Sequence, residues 1–329
     1  MMRLIPFELA KIWRKRSFIL SVCFLLMLHI FLLWYTSLSG EEAPELSAYK
    51  LVQAELGTKD EAQKGRYIEE LKETIDGVCF VRDILAMQGF HNEMGNALAE
   101  QEMKSNPGVF EKYYELYQSG DYLIFTDTPE REQAFIEEIY GDWQKVAGYG
   151  EYLQSIQENK ETLSGISIFG GQDQNTYSAR NLKKSAEDYV HLSDGNIRFV
   201  PSKGVTSAMQ GIWIDLLLFL SVMLFVGNLI MEEKEKKLFF VTRSTKHGIL
   251  HSIKSKLSAL LIHCVLLTAL FYTVSIVFFG YNTGWFEPGA SLQSLAPYAE
   301  SNLNISILGY ILLSVLTKAV LLFVLGSVL

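Results

Sequence analysis

Four long apolar segments constrain the fold of this chain more than any other feature. Each holds about twenty or more predominantly apolar residues, and a helix of that length, rising about 1.5 Å per residue, crosses the roughly 30 Å hydrocarbon layer of a membrane. The sequence therefore predicts an all-α, polytopic membrane protein with about four transmembrane helices. These predicted helices are residues 17–39, 209–231, 257–280 and 305–329.

A polar stretch, residues 40–208, separates the first two apolar segments. It is long enough to bury a core of its own, so we expect a large domain there. The stretch holds 30 acidic and 16 basic side chains, a net charge of −14. Such a surface usually keeps a domain solvated beside a membrane, and a site for a cationic substrate or a metal is the less common alternative.

Most of this domain has the apolar spacing of helices. Residues 64–105 form one such stretch, which the Asn106–Pro107 pair should end. Another helix should begin after Thr128, which can cap it, with Pro129 in the first helical position, and run towards Ile156. A short strand is predicted at residues 197–200. The apolar positions that carry the first pattern are Ile68, Leu71, Ile75, Val78, Val81, Ile84 and Leu85.

The distribution of positive charge predicts the orientation. Segment 1–16 carries five Lys and Arg residues and segment 232–256 carries seven, whereas segment 281–304 carries none. Because Lys and Arg concentrate in cytoplasmic loops, the N-terminus and segment 232–256 should be cytoplasmic, and residues 40–208 and 281–304 extracytoplasmic. Cys79 is the single cysteine of the domain, so no disulfide can form within it. We expect a multi-pass protein of the bacterial plasma membrane.

Residues 1–16 have a two-sided pattern. Ile5, Leu9, Ile12 and Trp13 fall on one helical face, and basic side chains are available to the other. This pattern predicts a short interfacial helix on the inner leaflet, and an extended foot of the first membrane helix is the alternative.

Motifs for nucleotide binding and hydrolysis are missing from the sequence. It contains no G-x-x-x-x-G-K-[ST], no H-E-x-x-H and no G-x-S-x-G. We therefore expect no enzymatic activity of its own, no metal site, no cofactor bound by this chain and no nucleic-acid partner.

Segment 232–256 reads EEKEKKLFFVTRSTKHGILHSIKSK, from an acidic start through an apolar cluster to a basic end. A short cytoplasmic helix with this pattern presents apolar residues that need a partner or the bilayer surface to cover them. The segment resembles the loop between the second and third helices of ABC-2 type exporter permeases. The N-terminal pattern of Glu8, Leu9, Lys11 and Ile12 is similar to the start of the same family.

The resemblance implies the membrane-spanning permease subunit of a bacterial ABC exporter. It implies a separate ABC ATPase subunit that binds the ATP, a second permease copy or paralogue in a dimer, and a substrate that could be a peptide, a lipid or a drug-like molecule. Family members typically have six membrane helices, so it also implies a C-terminally truncated chain whose fourth helix is cut at Leu329. The implied ATPase-coupling residues are Glu232, Glu233, Phe239, Phe240, Val241 and Arg243.

Two alternatives remain open at this stage. The basic loop could be held at anionic lipid headgroups without any ATPase. The chain could also be a sensor or scaffold that binds a ligand or partner through its extracytoplasmic domain and transports nothing.

Ionisable side chains inside the apolar segments are the remaining site candidates, because they usually face a bundle interior or water. They are His29, Asp215, His263 and Lys318. Counting from the predicted helix starts places His29 and Asp215 in the outer half of the membrane and the other two in the inner half. We therefore expect Asp215 to pair with His29 and not with Lys318 of the same subunit. Alternatively, Asp215 marks a wet helix end and Lys318 extends inward, with no role in transport.

Overall fold

The computed structural model describes residues 4–38, 44–89, 93–165, 184, 187, 189, 197–235 and 248–328. These residues form helices joined by short connections, with one isolated bridge between Ser291 and Ser306. The α-helices are α1 Leu4–Trp13, α2 Arg16–Ser37, α3 Leu46–Gly57, α4 Glu61–Gly89, α5 Glu93–Ser105, α6 Val109–Ser119, α7 Pro129–Ala147, α8 Tyr149–Gly165, α9 Lys203–Met209, α10 Ile212–Glu235, α11 Gly248–Thr283 and α12 Ile307–Val328. Two 3₁₀ helices, Leu292–Ser294 and Ala296–Tyr298, precede α12.

The chain divides into two compact units. We name Met1–Leu38, Gly204–Tyr281 and Leu308–Leu329 the membrane unit, and Ser39–Lys203 with Asn282–Ile307 the insert domain. The segment between the third and fourth apolar helices thus belongs to the same unit as the stretch between the first and second.

Four helical spans are long and apolar enough to cross a membrane. They are Arg16–Ser37, Lys203–Met231, Leu250–Thr283 and Ile307–Val328. Many of their large apolar side chains are exposed, as expected of helices that face lipid. The predicted all-α architecture, with four apolar helices and a helical region between the first and second, is confirmed.

The second span differs most from its predicted bounds. It begins at Lys203 instead of residue 209, and it is divided, because α9 ends at Met209 and α10 begins at Ile212. Gln210 still donates its backbone N–H to the carbonyl of Thr206 at 2.9 Å, after which the helical ladder is interrupted. A carbonyl at such an interruption has no partner in its own helix.

The N-terminal segment forms a helix of its own. α1 ends at Trp13, and Arg14 and Lys15 separate it from α2. On α1, Ile12 is fully buried and Phe7 is 63% exposed. The alternative of one continuous helix running into the first membrane span is therefore not what the structure has.

The core of the insert domain is built around α4, which packs against α5, α6 and α7. The predicted apolar positions of α4 are buried, with the exception of Leu85, which is partly buried against the same core. At Gly77 the helix lies so close to the ring of Tyr113 that a Cβ atom would come within 2.2 Å of it. The core residues of the other elements include Tyr49, Val52, Leu56, Tyr122, Phe125, Phe135, Ile136, Ile139, Val146, Phe199 and Ala296.

Several local predictions can be compared with these helices. α5 ends at Ser105, before the Asn106–Pro107 pair, as predicted. Thr128 caps α7 by accepting a hydrogen bond from the backbone N–H of Arg131 at 3.4 Å, also as predicted. The helix does not continue unbroken to Ile156, because α7 ends at Ala147 and α8 follows Gly148.

The strand predicted at residues 197–200 is wrong. These residues carry no regular secondary structure. Phe199 is buried in the core, and its backbone N–H donates to the carboxylate of Glu61 at 3.1 Å. The N–H groups of Arg198 and Val200 donate to the hydroxyl and the carbonyl of Ser294, so the segment has hydrogen-bond acceptors without a neighbouring strand.

Candidate intramembrane site

Three polar side chains meet inside the membrane unit, each from a different helix. Lys318 of α12 lies 2.9 Å and 3.0 Å from the two carboxylate oxygens of Asp215 on α10. The hydroxyl of Tyr272, on α11, donates to Asp215 Oδ1 at 3.0 Å and accepts a hydrogen bond from the Lys318 ammonium. The carbonyl oxygen of Met209 lies 3.5 Å from Lys318 Nζ. We name Asp215, Tyr272 and Lys318 the charged cluster.

The break in the second span contributes to this arrangement. Met209 is the last residue of α9, so its carbonyl is at the interruption and is available to the ammonium. An ammonium has three N–H donors, and here they have the carboxylate, the phenol oxygen and this carbonyl within reach. Carbonyls at the C-terminal end of a helix carry partial negative charge, which favours a cation at this position.

The pairing of Asp215 with Lys318 contradicts the sequence-based prediction, which excluded this pair. The error came from the start assigned to the second helix. With the observed spans, Asp215 follows Lys203 by 12 residues and Lys318 follows Ile307 by 11. Both residues therefore lie about 17 Å along their spans, at about 1.5 Å per residue.

His29 has different partners from the one predicted. Its Nε2 lies 3.0 Å from Ser275 Oγ and 3.3 Å from the carbonyl oxygen of Phe271, both on α11. The ring stacks on Phe271 with 5.1 Å between centroids, and the side chain is 1% exposed. The predicted pair of His29 with Asp215 is wrong, because His29 contacts Phe271 and Ser275 of α11, whereas Asp215 is bound by Lys318 and Tyr272.

His263 lies in an aromatic environment near the middle of α11. Its ring stacks on Phe225 with 4.1 Å between centroids, and the rings of Phe18 and Trp13 lie at 5.8 Å and 5.9 Å. Neither ring nitrogen has a hydrogen-bond partner among the described residues. The backbone of Ser221 interacts with the ring electrostatically without the geometry of a hydrogen bond. His263 therefore joins α1, α2, α10 and α11 through ring packing.

Three further buried polar side chains of the membrane unit have hydroxyls without hydrogen-bond partners in the described part of the chain. They are Ser221 on α10 and Ser255 and Thr268 on α11. Buried hydroxyls normally find partners, and in a helix Ser and Thr can donate to the carbonyl four residues earlier. These three do not, so α10 and α11 both carry buried polar groups that packing alone does not explain.

Tyr272 and Ser275 were missed by the sequence analysis, although each contacts a predicted residue. Both side chains are uncharged at neutral pH, and a tyrosine or serine in an apolar segment is common at membrane interfaces and helix contacts. The available signal was the four-residue spacing of Thr268 and Tyr272, which places both on one face of the third span.

The predicted ATPase-coupling residues lie largely outside the described residues. Glu232 and Glu233 are within α10, with their side chains outside the description, and Phe239, Phe240, Val241 and Arg243 are entirely outside it. Among the described residues, no group of three or more His, Cys, Asp or Glu side chains could hold a metal ion.

The charged cluster places a neutralised ion pair within the hydrocarbon layer, and its carboxylate could also bind a further positively charged group. Mutual neutralisation of Asp215 and Lys318 lowers the cost of placing both in a membrane. The Asp215 side chain is nevertheless 48% exposed and that of Lys318 is 26% exposed, so the carboxylate has room to accept a further donor. A cationic group is the chemistry that such a carboxylate can bind.

Comparisons with protein-family models, with curated proteins and with solved structures find no match to this chain. The class is defined by the four apolar spans and by the charged cluster between them: this is a multi-span helical membrane protein.

Proposed function

We propose that this chain is the membrane-spanning permease subunit of an ATP-driven exporter, with a separate ABC ATPase as its energy source. The observation that carries the transport part of the proposal is the charged cluster beside a broken membrane helix. Intramembrane ionisable groups usually mark a pathway, and transporters form binding sites where a spanning helix is interrupted and its carbonyls become available. Asp215, Lys318 and the Met209 carbonyl form such a combination.

The ATPase part of the proposal rests on the resemblance of segment 232–256 to the coupling loop of ABC-2 permeases and on the lack of a P-loop in this sequence. In this proposal the N-terminus and segment 232–256 face the cytoplasm and the insert domain lies outside. Glu232, Glu233, Phe239, Phe240, Val241 and Arg243 contact the ATPase, and a second permease copy or paralogue completes the transporter.

The test asks first whether an adjacent reading frame encodes a P-loop ATPase, and then whether that ATPase co-purifies with the full-length protein. Wild type is compared with a Phe239→Glu/Phe240→Glu variant and with a Leu51→Glu/Leu98→Glu control. The control adds the same two charges at exposed apolar positions of the insert domain, where Leu51 is 51% and Leu98 is 48% exposed. Wild type and control should retain the ATPase, and the loop variant should lose it while still inserting into the membrane.

If none of the three proteins retains an ATPase, the exporter proposal fails and the sensor or scaffold alternative replaces it. The specific observation that favours this alternative is that the insert domain has a large core of its own.

A further inference from the structure

An apolar groove runs between α2 and α10 in the membrane unit. Its volume is about 560 Å³, within the range of about 300–1,000 Å³ that is typical of small-molecule sites. It is lined by Leu20, Phe24 and Leu25 of α2 and by Leu220, Met223 and Leu224 of α10. Ser21 is its one polar lining residue, and the Ser21 hydroxyl already donates to the carbonyl of Ser17 at 3.0 Å.

The groove belongs to a packed pair of helices. Phe18 of α2 and Phe225 of α10 contact each other with 6.0 Å between ring centroids, directly beside the groove. Leu20 and Phe24 nevertheless remain 69% and 65% exposed, so part of the groove wall is open to the hydrocarbon layer.

One end of the groove is polar and positively charged. Arg16 precedes Leu20 by one helical turn on α2, and Asn228 follows Leu224 by one turn on α10. α2 runs parallel to α11, because Phe18 lies near His263 and His29 near Ser275. α10 runs opposite to α11, because Phe225 lies near His263 and Asp215 near Tyr272. α2 and α10 are therefore antiparallel, and both polar residues lie at the same end. Arg14 and Arg16 are exposed, and neither has an ion-pair partner in the described part of the chain.

The groove lies in one half of the membrane. Leu25, its farthest lining residue on α2, follows the start of the span at Arg16 by nine residues. At about 1.5 Å per residue this is about 14 Å, less than half of the roughly 30 Å hydrocarbon layer. An occupant therefore belongs to the leaflet next to the basic start of α2, with its polar part at the level of Arg16.

We propose that this groove is a binding site for an anionic phospholipid, with one acyl chain between α2 and α10 and the phosphate on Arg16. Arg14 adds positive charge, and the Asn228 side chain, which donates to the Leu224 carbonyl at 2.9 Å, has a second N–H for the headgroup. Basic pockets between helices on the cytoplasmic side of a membrane bind such headgroups. An Arg guanidinium matches the geometry of a phosphate.

Selectivity for the lipid should come from the headgroup. An acyl chain gains little when it leaves other lipid tails for an apolar groove, because both surroundings are equally apolar. The groove therefore determines where the lipid lies, and Arg16 selects a lipid with a negatively charged headgroup.

The experiment measures lipids retained by the full-length protein. The protein is purified from vesicles that contain equal amounts of phosphatidylglycerol and phosphatidylcholine, and native mass spectrometry counts each lipid on the wild type and on four variants. Arg16→Gln removes the proposed phosphate ligand, and Lys254→Gln is its control, since Lys254 is exposed near the basic start of α11. Leu224→Trp fills the groove, and Leu316→Trp is its control at a 54% exposed position of α12.

Wild type should retain phosphatidylglycerol over phosphatidylcholine, and Arg16→Gln should lower this preference about fivefold. Leu224→Trp should lower retention of both lipids, and both control variants should behave as wild type. Equal retention of the two lipids by wild type, or equal effects of Arg16→Gln and Lys254→Gln, would overturn the proposal.

Two further outcomes would also overturn it. Inorganic phosphate is added to the wild type that retains phosphatidylglycerol. If phosphate alone displaces this lipid, the acyl chain contributes nothing to binding, and the site binds free anions and not lipid. If Leu224→Trp changes the oligomeric mass and leaves lipid retention unchanged, the groove is covered by another protein chain. None of these results depends on an ATPase, so failure here is distinguishable from failure of the exporter proposal.

Discussion

The two units differ in how completely their buried polar groups are hydrogen-bonded. In the insert domain, Glu132 is fully buried, and its carboxylate accepts hydrogen bonds from the backbone N–H groups of Ile124, Phe125 and Thr126 and from the Thr126 hydroxyl. The described part of that domain has one buried side-chain atom without a hydrogen bond, the hydroxyl of Tyr149. In the membrane unit, Ser221, Ser255, His263 and Thr268 are all buried without hydrogen bonds.

This difference indicates where function should be sought. Buried polar groups that are fully satisfied stabilise one structure, whereas unsatisfied ones cost free energy that a fold keeps for another reason. The insert domain therefore has the features of a stable folded unit. α10 and α11, which carry the unsatisfied groups, and the charged cluster have the features of a site that works or rearranges.

The largest effect should follow removal of Glu132. Glu132→Ala removes the carboxylate that accepts from the backbone N–H groups of Phe125 and Thr126 and from the Thr126 hydroxyl, and we expect the free energy of unfolding of the insert domain to fall by about 4 kcal/mol. Hydrogen exchange of the full-length protein measures this loss through the amides of residues 124–126. Glu130→Ala is the control, because the Glu130 side chain is 64% exposed. If these amides are protected equally in Glu132→Ala and in the wild type, Glu132 does not stabilise the segment of residues 124–126.

The charged cluster should respond less strongly, because the side chains of Asp215 and Lys318 are partly exposed. Asp215→Ala leaves the Lys318 ammonium without its carboxylate, and we expect a loss of about 2–3 kcal/mol in unfolding free energy in lipid nanodiscs. The double variant Asp215→Ala/Lys318→Ala should lose less than the sum of the two single variants. Additive losses would contradict a direct interaction between the two side chains.

Gly77 tests the packing of the insert domain. Gly77→Ala places a Cβ atom within 2.2 Å of the Tyr113 ring, and we expect a net destabilisation of about 2 kcal/mol because the ring or the helix must move. Gly141→Ala is the matched helical control, since no atom lies within 4 Å of its Cβ position. It should stabilise the domain by about 0.5–1 kcal/mol through helix propensity. Thermal unfolding of both variants compares the two outcomes directly.

Thr268 tests whether the unsatisfied hydroxyls have a stabilising role. Thr268→Val removes the hydroxyl and keeps the shape of the side chain, so we expect stability to stay the same or to rise by up to about 1 kcal/mol. A loss of stability, measured by unfolding in nanodiscs, would mean that the hydroxyl has a partner in the folded protein. Thr268 would then no longer count among the buried groups of the membrane unit that have no hydrogen bond.

The smallest effect concerns the pH dependence of the insert domain. Burial raises the pKa of Asp142 above its usual value of 3.8, against the opposing effect of the hydrogen bond that it accepts from Ser202. A carboxyl with a raised pKa binds more protons in the folded state than in the unfolded state. Its contribution to stability is therefore greatest below pH 3.8 and is lost as the pH rises through the raised pKa.

Asp142→Asn should remove this part of the pH dependence and make the domain relatively more stable at neutral pH. Unfolding measured at several pH values gives the comparison, with Asp60→Asn, at an exposed position, as the control. A pH dependence equal to that of the wild type would contradict a role for Asp142.

Much of the fold could be predicted from the sequence, because the strongest signals are local. The four apolar spans follow from the thickness of a bilayer, and the start of α7 follows from Thr128 and Pro129. The strand at residues 197–200 was mispredicted, because its apolar pattern reflects the burial of Phe199 against helices and not pairing with another strand.

The candidate site was less predictable, because it depends on which helices are neighbours. Asp215 and Lys318 were identified as candidates from their residue types, yet their pairing was rejected. Six residues at the start of the second span decided the error, since residues 203–208 are too polar to be recognised as part of a membrane helix. The contacts of His29 with Ser275 and of His263 with Phe225 depend on tertiary packing that periodicity does not encode.

The central claim is that the charged cluster serves transport more than stability. The most direct test replaces both charges by apolar residues, Asp215→Val/Lys318→Met, in the protein purified with the proposed ATPase partner. We predict that the free energy of unfolding stays within about 1 kcal/mol of wild type, since an ion pair replaced by packed apolar groups costs little. We also predict that ATP hydrolysis by the complex falls about tenfold or more. Unchanged hydrolysis, together with a large loss of stability, would contradict the claim and make the cluster a structural contact.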